Sequence, residues 1–161
     1  MIKPLFQNVM IVINGSESSI YAAKYGILMA KLYRCKLKAV YVVDTATIKQ
    51  LSLSRFFIAE ESREYEESLS SDGTRYLNYV TELGKSKGVL IDTELRRGSV
   101  WSEVVSAAAE NKSDLILIGG FESSLNRHDS LLTAYKEILL NANCSVLMVR
   151  EKMIEQLYKM A

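Results

Sequence analysis

Leu115-Ile116-Leu117-Ile118, set between Asp114 and the pair Gly119-Gly120, is the stretch on which the fold turns. A short continuous apolar run that stops at a turn signal suits a strand buried on both faces, the kind found in parallel sheets. Val9 to Ile13 has the same form and stops at Asn14-Gly15-Ser16, and Leu37 to Val43 repeats it. Val89 to Leu95 alternates instead and reads as a less buried, outer strand that Gly98 ends. Cys144 to Val149 supplies the last strand.

Between these strands the apolar spacing becomes helical. Ile20, Ala23, Ile27 and Ala30 recur at gaps of three, four and three behind Ser16, which is placed to cap the helix. From Ala59 a second helix begins with Glu60, Glu61, Glu64, Glu66 and Glu67, near the end where the helix dipole favours negative charge. Tyr65, Leu69, Tyr76, Val80 and Leu83 mark its buried stripe, and Gly84 and Gly88 are its stop signals. Trp101, Val104, Val105 and Ala108 mark a third helix, and Leu132, Tyr135, Ile138 and Ala142 a fourth. Asp44 to Ile58 has no clear period and is expected to be a long surface loop, as is the polar segment from Phe121 to Ser130. Five strands alternating with four helices imply a mainly parallel sheet with helices on both faces, because parallel neighbours need right-handed crossovers. The expectation is a doubly wound α/β sandwich over residues 1–150. In the tail, residues 151–161, Met153, Ile154, Leu157 and Met160 fall on one side of a short helix that would dock on its own chain or on a partner.

Composition narrows the function classes. The 161 residues are 48% hydrophobic and 24% charged with one proline, which suits one packed domain and excludes disorder. Lys+Arg 20 against Asp+Glu 19 gives a formal charge of +1, so no global basic field recruits nucleic acid or an anionic membrane. No run approaches the roughly 20 apolar residues of a membrane helix. The opening MIKPLFQNVMIVI reads as a first strand rather than a signal peptide. Cys35 and Cys144 stand far apart with no CxxC, which suits a reduced, cytoplasmic setting.

In an open α/β sheet, ligands bind beyond the carboxyl ends of the strands, where the winding reverses. That rule selects Asn14-Gly15-Ser16, Val42 to Asp44, and Gly119-Gly120 onward. Glycines after a strand let backbone approach a phosphate, and the following helix N-terminus offers unpaired N–H groups. A tight turn explains the same glycines equally well. Gly15-Ser16-Glu17-Ser18-Ser19 lacks the order of a P-loop and reads more simply as helix capping. His128 is the sole histidine, so no histidine-based metal cluster can form. Asp44, Asp114 and Asp129 lack the close pairing of a general acid and base. Arg127 and His128 could meet an anion, though exposed charges of this kind are usually solvated. Phe56, Phe57 and Tyr65 beside acids suit core packing better than a partner surface.

The chain resembles the universal stress proteins, a branch of the adenine-nucleotide α-hydrolase-like group of Rossmann-like folds. The resemblance rests on V-M-I-V-I-N-G-S-E-S-S at the first strand, Y-V-V-D at the second, R-R-G-S after the third, D-L-I-L-I-G-G at the fourth and A-N-C-S-V-L-M-V-R at the last. Nucleotide-binding members carry an acid at the end of the first strand and a later G-x2-G-x9-G-(S/T) motif. Here Asn14 replaces the acid, and a motif begun at Gly119 meets Glu122, Leu132 and Thr133, so only its first and last elements survive. A carboxylate and a branched side chain at those places disfavour a triphosphate. The resemblance leaves Asn14, Val42, Gly119, Gly120 and Thr133 as an adenine-nucleotide crevice, with no resident cofactor expected and weak ATP or AMP binding left open. It further implies a non-enzymatic stress-response module, a homodimer through Ser145 to Val149 with an unidentified protein partner, or alternatively a nucleotide-binding switch or slow ATPase.

Overall fold

The computed structural model describes residues 2–54, 58–121, 130–150 and 153–161. Glu122, Arg127, His128 and Asp129, with Phe56 and Phe57, lie outside them. The chain runs β1 (Asn8–Ile13), α1 (Glu17–Tyr33), β2 (Lys36–Asp44), α2 (Thr45–Leu53), α3 (Ala59–Ser86), β3 (Ile91–Gly98), α4 (Val100–Glu110), β4 (Leu115–Gly119), α5 (Ser130–Asn141), β5 (Ser145–Val149) and α6 (Ile154–Met160). The sheet order is β3-β2-β1-β4-β5, and every pairing is parallel.

Pleat alternation divides the core between the two faces. Val9, Ile11 and Ile13 of β1 pack toward Ala23 and Ile27 of α1 and Leu77 and Val80 of α3. Met10 and Val12 point the other way, toward Val104 and Ala107 of α4 and Tyr135 and Ile138 of α5. Each such aliphatic side chain withdrawn from water contributes about 1.5–3 kcal/mol. Gly119 sets how closely α1 approaches β4. A Cβ there would lie 2.5 Å from the Ser18 carbonyl carbon, so any larger residue would push the first turn of α1 off the sheet. At the opposite end of the sheet, Asp114 Oδ2 accepts from the backbone N–H groups of Gln7 (2.9 Å) and Asn8 (3.2 Å), joining the starts of β1 and β4.

Several elements differ from the reading of the sequence. There are six helices among the described residues rather than four. The expected loop after Asp44 contains α2, which escaped notice because it buries only Ile48 and so shows no apolar period. Asp44 starts it by accepting from the Thr47 N–H (3.0 Å) and hydroxyl (2.7 Å). β3 begins and ends later than the alternating run, since pairing with β2 carries it through Arg96, Arg97 and Gly98. In α3 the buried positions are Gly73, Leu77, Val80 and Gly84, while Tyr65 is exposed. Gly84 is inside the helix, and the left-handed turn after it falls on Gly88 (φ 74°). Leu132 of α5 points outward.

The tail corrects a face assignment. Ile154 and Tyr158 are buried, whereas Met153, Leu157 and Met160 are exposed. Tyr158 donates its hydroxyl proton to the Leu83 carbonyl at 2.8 Å, and Lys24 and Lys87 stand over its ring at 5.3 and 4.7 Å. Lys24 also pairs with Glu155. The helix therefore clasps α1 to the end of α3 through a ring that the apolar pattern does not single out. Tyr158→Ala should lower the unfolding free energy in urea by about 3 kcal/mol, the usual cost of deleting a buried ring. A loss below about 0.5 kcal/mol, the scale of an exposed surface change, would mean that α6 is not docked.

Candidate functional site

The strands of the sheet point their carboxyl ends the same way, and the exits of β1, β2 and β3, together with α5, surround a cavity of about 610 Å³. Val12, Ile13 and Asn14 of β1 and its turn form the floor, where the winding reverses between β2 and β4. Val42 and Asp44 continue it along β2, and Ala46, Thr47 and Gln50 of α2 form one wall. Ser99, Val100 and Trp101 at the start of α4 form another, and Leu131, Thr133, Ala134 and Tyr135 of α5 complete the lining. The volume lies in the range that holds a small ligand of nucleoside or nucleotide size.

Local hydrogen bonds fix the floor. Asn14 Oδ1 accepts from the Ser16 N–H (3.0 Å) and hydroxyl (2.6 Å), and Ser16 Oγ in turn accepts from the Ser19 N–H (3.1 Å), capping α1. Gly15, at φ 82°, takes the left-handed turn this requires. Asn14 Nδ2 donates to the Tyr135 hydroxyl at 3.4 Å. Tyr135 is 1% exposed, and burial pushes its hydroxyl up to about 12, so it is a neutral phenol at any physiological pH. Asp44 uses both carboxylate oxygens to cap α2. Among the described residues no group of three His, Cys, Asp or Glu side chains could hold a metal ion.

Of the residues the sequence singled out, Asn14, Val42 and Thr133 line the cavity together. Gly119 and Gly120 are not among its lining residues. Gly119 packs against Ser18, and the Gly120 N–H donates to the Val149 carbonyl at 2.9 Å. Sequence reasoning missed Gln50, Trp101 and Tyr135 as lining residues. Gln50 followed from the missed α2. Trp101 was legible as the side chain three residues beyond Gly98, at a helix start that must face the crevice.

A sequence profile of the universal stress protein family matches residues 5–150, and the chain belongs to that family. It is 32% identical over 148 residues to a universal stress protein of Methanocaldococcus jannaschii, a match covering 91% of this chain and 84% of that one. Among solved structures, a universal stress family protein of Burkholderia pseudomallei superposes with a TM-score of 0.71 at 20% identity, covering 92% of this chain and 99% of that one. An Arabidopsis thaliana family member with AMP bound superposes with a TM-score of 0.64 at 16% identity, covering 92% of this chain and 94% of that one.

The buried phenol makes stability fall at alkaline pH with a defined sign. Because the folded value of Tyr135 lies above the ordinary value of 10.0, its contribution is complete below pH 10 and is lost as pH rises toward about 12. Urea unfolding of the native protein and of Tyr135→Phe, followed from pH 9 to 12, should show a shallower alkaline decline in the variant. Parallel declines would place the Tyr135 hydroxyl in water.

Proposed function

We propose that this chain is a non-enzymatic binding module of the stress response, acting in the cytoplasm, whose crevice takes the adenine and ribose end of a small ligand. The observation that carries this reading is the cavity itself, placed at the winding reversal and lined by Asn14, Val42 and Thr133. The AMP held by an Arabidopsis family member of the same fold supports an adenine compound as the ligand. The departures of Glu122 and Leu132 from the phosphate motif argue for weak purchase on a polyphosphate. Gly119 and Gly120, counted in the crevice on sequence grounds, contribute by holding α1 and β5 in place rather than by lining it. Among the described lining residues the one carboxylate, Asp44, is committed to a helix cap, which favours the binding module over the slow-ATPase alternative.

Dimerisation belongs to the same proposal. Among the described residues β5 pairs with β4 alone, and its Val146, Leu147 and Met148 are half-buried. An apolar open edge invites a second strand, and a symmetric copy satisfies both edges at once.

Equilibrium dialysis against adenosine, AMP and ATP should find at least one of them bound with one site per chain. Ala46→Trp, which places a large ring into the cavity from an exposed helix position, should weaken that binding about ten-fold or more. Unchanged binding in that variant would move the ligand elsewhere. In sedimentation velocity the native chain should run as a dimer and Leu147→Lys as a monomer, and a persisting dimer would remove β5 from the interface.

A further inference from the structure

We infer that Trp101 is the residue that receives the base: the flat heteroaromatic ring of the ligand stacks on its indole, and this contact carries a large part of the affinity. The inference rests on the reading of the crevice as an adenine-compound site and names the side chain that selects a ring there. Trp101 and Tyr135 are the two aromatic residues among the described lining residues. Tyr135 is 1% exposed, and its ring already packs against Phe121 at 5.3 Å between centroids. Trp101 is half-buried, so its ring is the aromatic surface left for a ligand in the cavity.

The construction of α4 explains why a large ring stands at this place. Trp101, Val104 and Ala108 fall at i, i+3 and i+7, on one side of the helix. Val104 and Ala108 are buried in the core cluster that also holds Met10 and Val40 of the sheet, and these small side chains keep α4 close to the strands. Trp101 opens the same stripe in the first turn, three residues past the end of β3 at Gly98. It packs on that cluster and lines the cavity at once. An indole held in this way is a platform already ordered before a ligand arrives, so stacking on it costs little further entropy.

The facing wall suits the same occupant. Strand register pairs Gly98 with Asp44, the residue that caps α2, so α4 and α2 leave the sheet at one level from neighbouring strands. α2 brings Ala46 and Gln50 to the cavity. The small side chain of Ala46 leaves room for a ring, and the amide of Gln50 both donates and accepts, as the edge of a base does.

Tryptophan fluorescence and isothermal titration calorimetry of the full chain, with adenosine, AMP and ribose 5-phosphate as ligands, test the inference. All tryptophan emission belongs to Trp101, because the chain has no other. Adenosine and AMP should quench it along a saturable path that matches the calorimetric affinity. Ribose 5-phosphate, which keeps the sugar and phosphate but lacks the base, should leave the emission unchanged and bind about ten-fold or more weakly than AMP. Trp101→Ala should reduce adenosine affinity about ten-fold, within the range of one base stacked on one ring, and Trp101→Phe should retain most of it. Circular dichroism of both variants shows whether they fold, and if Trp101→Ala does not, the emission of the native chain still decides. Adenosine binding that leaves the emission unchanged overturns the inference, as does undiminished affinity in a folded Trp101→Ala or a folded Trp101→Phe as weak as the alanine variant. Ribose 5-phosphate binding as tightly as AMP overturns it too, and each of these results leaves the adenine-compound reading standing. Failure of adenosine, AMP and ATP alike to bind overturns both.

Discussion

In a parallel sheet each strand must be followed by a crossover that returns to the same starting end, so all strand exits gather at one edge. β1 is the strand on which this constraint bears most. It is paired on both sides, by β2 and β4, and buried on both faces, so the chain winds away from it in opposite directions. The gap between those directions is where Asn14 and Ser16 turn the chain into α1, and the cavity opens there. Gly119 makes the arrangement sterically attainable by letting the first turn of α1 rest on the backbone of β4. Without that approach the floor of the crevice would be displaced together with the helix.

The parts of this fold that the sequence displayed are those where burial is complete. β1, β2 and β4 are apolar on both faces and announce themselves as runs, and β5 falls on the boundaries its pattern suggests. What stayed hidden is held by polar or single contacts. α2 exists because Asp44 caps it and Ile48 anchors it, and neither leaves a periodic trace. α6 docks through Ile154 and Tyr158, and a tyrosine held by a carbonyl and two lysines does not look like core in a hydropathy pattern.

The lining of the candidate cavity was legible only in part. The rule that ligands sit beyond strand ends singled out Asn14 and Val42, and the register of the phosphate motif singled out Thr133, and these three line the cavity. The glycine pair was the more conspicuous signal, yet its physical work is helix packing and a hydrogen bond to β5. The residues that give the cavity its chemical character, Trp101, Gln50 and Tyr135, sit on helices, where position relative to the crevice depends on tertiary placement rather than on a motif.

Membership of the universal stress protein family thus sets the scaffold, and this chain's own side chains set what the scaffold can hold. Among the described residues the crevice is lined mainly by uncharged side chains, and its one carboxylate, Asp44, caps α2. The indole N–H of Trp101 gives one resonance in a nitrogen-proton correlation spectrum, because the chain has no other tryptophan. Titrating adenosine into labelled protein should move that resonance along a saturable path together with the backbone signals of Asn14 and Val42. A resonance that stays fixed while adenosine binds would place the ligand outside the crevice and contradict the account.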